Sequence, residues 1–281
     1  MNADADALVE GRVFVGRKRV QDARMVVAAG DSISVSKKAA GADGTATILL
    51  ARDGVVAADK PAGIPTIADH GGGAHSLVAT VARTLGVDPR TLHPTSRLDR
   101  GVSGVVVFAT DALARDELAA AREEGRYERR YVALATKAPT PSSGTWDGPI
   151  GRAKDPMLRK VNGKDAVPSS SRYAVVAESP VAAMLALGPV TGRTHQLRVH
   201  AAHAGAPLLG DRDYGRSANV TLATGQIVPV PRIALHCAYV RLLFGVEEVR
   251  VSAKIPEELQ ALGEKLGLES AMWEKAVTCN L

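Results

Sequence analysis

Short alternations of apolar and polar positions open the chain. Val13 and Val15 precede a Gly16-Arg17 turn signal, Val20 resumes the pattern, and Gly30-Asp31 precedes Ile33 and Val35. The first 36 residues therefore read as a compact unit of short strands. The stretch KKAAGADGTAT that follows is small and polar, the composition of a linker, and puts a boundary near residue 45. Next, ILLARDGVVAADKPAG gives two short strands and a Lys-Pro-Ala-Gly turn. Leu77, Val78, Val81 and Leu85 fall at helical spacing before Gly86. GVVVFAT is an unbroken apolar run, a buried strand, after which Thr110 or Asp111 caps a helix that reaches Gly125. YVALAT, RYAVVAE, AAMLALGPV, RIALHCAYVRLLF and EEVRVSA are further strand patterns. Residues 194–204 predict a helix closed by Gly205, and PEELQALGEKLG a helix with Pro256 in its first turn. Strands grouped with a few interspersed helices, without regular βαβ alternation, predict an α+β (mixed α/β) fold on a mainly antiparallel sheet. The chain thus divides into residues 1–45 and 46–281.

Composition narrows the class. Apolar residues make up 46% and charged residues 23%, an ordinary balance for a soluble globular protein. Lys and Arg outnumber Asp and Glu by 35 to 30, an excess that permits a polyanionic partner without demanding one. The two cysteines form no CxxC pair, which gives zinc or dithiol chemistry no support. Cys237 sits in an apolar run and is expected to be buried, whereas Cys279 falls in the C-terminal tail. The start, MNADADALVEG, lacks the apolar core of a signal peptide, and no apolar stretch reaches spanning length. These features predict a cytoplasmic, monomeric protein with no membrane attachment.

Two segments concentrate chemistry. In TSRLDRGVSGVVVFAT, Asp99 lies between Arg97 and Arg100 just ahead of the buried strand, where glycines let the backbone turn. In GPVTGRTHQLRVHAAHAGAPLLGDRDYG, Thr194 and Arg198 fall one turn apart on the predicted helix, and Leu197, Ala201 and Ala204 form its packing stripe. Arg198 beside that stripe could hold a carboxylate in a partly buried site. His195, His200 and His203 do not converge on one ion at helical spacing, so a metal is not expected. HGGG at residues 70–73 resembles an esterase oxyanion loop, but no GxSxG elbow accompanies it. Phosphate-loop and dinucleotide glycine motifs are also missing.

Together, VVAADKPAGIPT, SRLDRGVSGVVVFA, ERRYVALAT, LRKVNGKDAVPSSSRYAVV and GRTHQLRVHAAHAGAPLLGDRDYG resemble, in order, the motifs of the RluA-type pseudouridine synthases. The resemblance covers about residues 50–255 and departs from the family pattern at Ser96 and Val102. It implies an enzyme that isomerises a uridine of ribosomal or transfer RNA without a cofactor. It further implies Asp99 as nucleophile, Tyr131 stacking on the base, Arg198 paired with Asp99, and Leu235 packing beside the site. Arg97, Arg100, Arg193, Thr194, His195 and Gln196 are the expected RNA contacts. The segment LVEGRVFVGRKRVQDARMVVAAGDSISV resembles the second half of an S4 RNA-binding domain. A non-catalytic RNA-binding protein on the same fold is the rival reading.

Overall fold

The computed structural model describes residues 7–8, 13–16, 18–20, 22, 24–35, 46–68, 76–215 and 218–281. The linker stretch 37–45 and the HGGG stretch 70–73 lie outside them. Ten strands build the main sheet. Four come early: β1 (Thr47–Arg52), β2 (Val55–Lys60), β3 (His93–Pro94) and β4 (Ser103–Ala109). Four follow as β5 (Tyr127–Ala135), β6 (Ser143–Trp146), β7 (Ser171–Ser179) and β8 (Ala182–Pro189). The last two are β9 (Leu235–Phe244) and β10 (Glu247–Ser252). Their order is β1-β2-β4-β9-β5-β8-β7-β6, with β3 also on β4 and β10 also on β9. All pairs are antiparallel except β4 with β9. The sheet therefore consists of an early half and a middle half joined by a late central strand.

The unbroken apolar runs are strands covered on both faces. Along β5, Tyr131, Ala133 and Ala135 face one core, which also holds Leu77, Leu118 and Leu197. Val132 and Leu134 face a second core with Leu259, Leu262 and Trp273. This is the two-residue alternation of a strand serving two layers. The first layer carries α1 (Leu77–Leu85), α2 (Ala112–Glu123) and α3 (Gln196–His203); the second carries α4 (Glu257–Lys265) and α5 (Ala271–Thr278). Ser76 caps α1 by accepting from Ala79 N–H, and Asp111 caps α2 by accepting from Ala114 N–H. Where β4 meets β9, Gly104 has φ +115°, and a Cβ there would lie 2.2 Å from the Cys237 carbonyl oxygen. Only glycine allows that approach.

One expectation needs correction. The predicted helix over 194–204 begins at Gln196, because His195 turns into the left-handed region at φ 58°. Thr194 therefore does not share a helix face with Arg198. Cys279 falls in the tail just beyond α5, which buried Trp273 and Ala276 anchor. Among the described N-terminal residues, Val13–Val15 pairs with Lys18–Arg19 and with Ile33–Val35. Gly16 and Gly30 supply the positive-φ turns read from the sequence.

Candidate active site

Asp99 stands in the loop leading into β4, and buried polar groups hold that loop. Thr66 Oγ1 donates to Leu98 O and accepts from Leu98 N–H, each at 3.0 Å. Lys60 is fully buried at the end of β2, its Nζ donating to Val102 O at 2.7 Å, Pro61 O at 3.0 Å and Arg100 O at 3.4 Å. Burial pulls the Lys60 pKa down to about 7, and the Asp99 charge works against that shift. Three carbonyl acceptors suit the three N–H groups of the ammonium form. Gly63 N–H also donates to Arg100 O at 2.7 Å. The backbone on both sides of Asp99 is thereby tied to the end of β2 and the loop that follows it.

Arg198 enters from α3 and is 4% exposed. Its Nη1 donates to Asp99 Oδ2 at 3.0 Å. Nε and Nη2 donate to the two oxygens of Asp211, each at 2.8 Å, and Nη2 also reaches Asp213 Oδ2 at 2.8 Å. The guanidinium lies over the Tyr214 ring, 4.9 Å from its centroid. Burial works against the charge, but Asp211, Asp99 and Asp213 outweigh it and hold the Arg198 pKa above its usual range. One cation thus serves three carboxylates. The Asp99 side chain keeps 25% exposure and faces the cleft.

His195 sits on the same wall, its Nε2 3.9 Å from Asp99 Oδ2. Its Nδ1 lies 2.8 Å from Tyr214 Oη, which accepts from Arg159 N–H at 2.9 Å. The phenol proton is then free to go to Nδ1, which leaves the imidazole proton on Nε2, toward Asp99. Burial lowers the His195 pKa, favouring this neutral form.

Asp99, Arg198 and His195 border one cleft of about 640 Å³, together with Arg97, Arg100, Arg193, Thr194, Tyr131 and Leu235. Tyr131 is 5% exposed, and burial pushes its phenol well above its ordinary pKa, so it stays protonated near neutrality. Leu235 opens β9 opposite Ala133. Gln196 also borders the cleft, but its amide is used within the protein. Its Oε1 accepts from Thr191 Oγ1 and Arg193 N–H, and its Nε2 donates to Ser170 O and Ser171 Oγ. Its part is to clasp the turn before α3. His200 is bound to Ser171 Oγ and Gly148 O, away from His195. Among the described residues no cluster of His, Cys, Asp or Glu is arranged to hold a metal.

The structure adds residues the sequence reading did not single out: Lys60, Thr66, Asp211, Asp213 and Tyr214, and on the far wall Arg122 and Arg129. Asp211, Asp213 and Tyr214 stand in the GDRDYG stretch, so their signal was motif membership and not any property of the residues alone.

The sequence profile described as RNA pseudouridylate synthase matches residues 54–203. Ribosomal large subunit pseudouridine synthase C of Escherichia coli (strain K12) is 30% identical over 288 residues, covering 92% of this chain and 86% of that protein. "Uncharacterized RNA pseudouridine synthase YjbO" of Bacillus subtilis (strain 168) is 32% identical over 174 residues, 61% of this chain. That match spans 58% of the Bacillus protein's length. Among solved structures, Human RNA Pseudouridylate Synthase Domain Containing 4 superposes with a TM-score of 0.63 at 25% identity, over 79% of this chain and 94% of that one. With a cleft built around a carboxylate–guanidinium pair and a profile match over more than half its length, the chain belongs to the RNA pseudouridylate synthase family.

Proposed function

We propose that this protein isomerises a specific uridine to pseudouridine in structured RNA, ribosomal or transfer, with Asp99 as nucleophile. The observation that carries the reading is the Asp99 carboxylate, 3.0 Å from Arg198 and open to a cleft walled by Tyr131 and Leu235. Uridine and pseudouridine are isomers. The N1–C1′ bond breaks, the base turns, a C5–C1′ bond forms, and the C5 proton is replaced as N1 gains one. No electrons enter or leave, so the reaction calls for no redox cofactor.

An anionic group must stabilise or attack C1′ as the glycosidic bond breaks. Arg198 holds the Asp99 carboxylate through one hydrogen bond and divides its charge among three carboxylates, so Asp99 keeps nucleophilic character. Tyr131, neutral in its buried setting, offers a ring for the base to stack on and a phenol proton to donate. A base inside a stem cannot reach Asp99, so the nucleotide must be unstacked or flipped, at a cost of a few kcal/mol. Arg97, Arg100 and Arg193 at the cleft would offset that through phosphate contacts.

The name of the Escherichia coli relative points to the large ribosomal subunit, which makes protein-free large-subunit RNA the first substrate to test. We propose that the protein acts on that RNA in the cytoplasm, as a monomer. Residues 1–45 are proposed as an S4-like unit that adds RNA affinity. The decisive experiment is Asp99→Asn, with pseudouridine formation and RNA binding measured together. Turnover should fall by several orders of magnitude, as when a nucleophile is removed, with affinity within a few-fold of the parent. Near-parent conversion by Asp99→Asn refutes the nucleophile. An unaltered chain that binds RNA but converts none of the RNA pools offered favours the non-catalytic reading.

A further inference from the structure

Besides Arg97, Arg100, Arg193 and Arg198, the cleft holds two more arginines, Arg122 and Arg129, that lie close together. Arg129 lies two residues before Tyr131 on β5, so both side chains project from the same face of the strand. Arg129 is 8% exposed. Its Nη2 donates to Thr191 O at 2.9 Å and Pro189 O at 3.4 Å, and its Nε is buried with no partner. Arg122, at the end of α2 and more exposed, donates from Nη1 to Thr95 O. Neither guanidinium has an acidic partner among the described residues, whereas Arg130, the next residue on β5, is paired with Glu128. Two cations sharing a pocket repel each other, and burial and Arg129 both act to lower the Arg122 pKa. Such a pair persists at a cost in stability, which an anion would relieve.

The backbone at Gly192 approaches the pair closely. A Cβ on Gly192 would stand 2.9 Å from Arg122 Nη2, 3.6 Å from Arg129 Nη1 and 3.7 Å from Arg129 Nη2. Both guanidinium groups thus converge on the bare face of Gly192, where any side chain would crowd them. Tyr131, Thr191 and Gly192 border the same cleft as Asp99. Arg129 and Tyr131 are two strand residues apart, about 7 Å along β5, a separation one nucleotide can bridge from base to backbone.

We propose that Arg122 and Arg129, beside Gly192, form a subsite for one RNA backbone phosphate next to the flipped uridine, fixing the nucleotide on Tyr131. The inference rests on the synthase reading above. Guanidinium groups suit it because their N–H fork matches phosphate oxygens, and the phosphate is the group every nucleotide presents regardless of base.

The test compares the parent chain with Arg122→Gln, Gly192→Ala and, as a surface control, Arg115→Gln, whose partner Asp116 is also exposed. Binding to protein-free ribosomal RNA is titrated from about 50 to 200 mM salt, and KM and kcat are measured on the RNA that the parent converts. Arg122→Gln should weaken binding about ten-fold and reduce the salt slope by about 0.7–0.9, the share of one phosphate contact. Gly192→Ala should raise KM several-fold with both arginines present, because its methyl group would stand 2.9 Å from Arg122 Nη2 and displace that guanidinium. A merely structural role for Arg122 would lower the melting temperature without changing the salt slope. Parent-like slopes and KM values in both variants, from a parent that binds and converts RNA, overturn the subsite alone. A parent that neither binds nor converts RNA overturns the synthase reading and the subsite with it.

Discussion

Arg198→Met should damage this protein in two separable ways. The Asp211 side chain is 0% exposed, and both its oxygens face Arg198 at 2.8 Å. Without the guanidinium, a carboxylate with no access to water is left unpaired, which costs about 3–5 kcal/mol. Asp99 and Asp213, at 25% and 36% exposure, can turn to solvent, and each adds less than about 1 kcal/mol. Against a total stability of about 5–15 kcal/mol, the loss is large. At about 2–4 °C per kcal/mol it lowers Tm by roughly 6–20 °C. Adding Asp211→Asn removes the stranded charge, while the amide oxygen can still accept from the N–H groups of Asp213 and Tyr214, now at 3.1 and 3.2 Å. The double variant should regain at least half of the lost stability. It should not regain turnover, because Asp99 still lacks its cation. Denaturant titrations of the parent, the single variant and the double variant, run beside pseudouridine assays, decide the matter. A single variant within about 1 kcal/mol of the parent, or a double variant no more stable than the single, would falsify the buried-charge argument.

Three further outcomes follow from the fold. His236 is fully buried, and burial depresses its pKa to about 4. Its contribution is complete above the unfolded value near 6.5 and is lost as pH falls toward 4, up to about 3 kcal/mol; denaturant midpoints at pH 7 and pH 4 should show the loss, and His236→Asn should flatten it. Gly104→Ala puts a Cβ 2.2 Å from the Cys237 oxygen and should cost at least about 2 kcal/mol, seen as a lower Tm; an unchanged Tm would mean that β4 and β9 can move apart. Removing residues 1–45 should weaken RNA binding and spare the single-turnover rate at saturating RNA, whereas a collapse of that rate would assign the segment to the catalytic core.

The elements that could be read from the sequence are those with one-dimensional causes. β4 was visible because seven consecutive buried residues leave no polar face, and α1 and α2 because Ser76, Gly86 and Asp111 mark their ends. The start of α3 was not visible. The turn into the helix depends on His195 adopting a left-handed backbone and on Gln196 bonding to Ser170 and Ser171, more than twenty residues away. The three-residue strands Ile150–Arg152 and Asn219–Thr221 are too short for a periodicity to emerge. Asp99, Tyr131 and Arg198 were found through motif resemblance, since an Asp between two arginines looks like any surface loop. Asp211 was hidden for the reason that makes it structural: its partner lies thirteen residues back, and only folding brings them together. Arg129 was hidden because the strand pattern visible in the sequence begins at Tyr131, two residues after it.

The position of β9 bears on how the protein is made. It lies at the centre of the sheet, between β4 and β5, yet follows β1 to β8 in the chain. While the ribosome is still synthesising residues before 244, the nascent polypeptide holds two half-sheets, from residues 47–109 and 127–189, each with an unsatisfied apolar edge. Open edges of that kind recruit other strands, and folding that waits on sequence-distant pairing is slow and prone to aggregation. Translation stalled after residue 203 would already have produced Asp99, Tyr131 and Arg198 but left the two edges unjoined, a product suited to chaperones and proteases and unable to form the cleft.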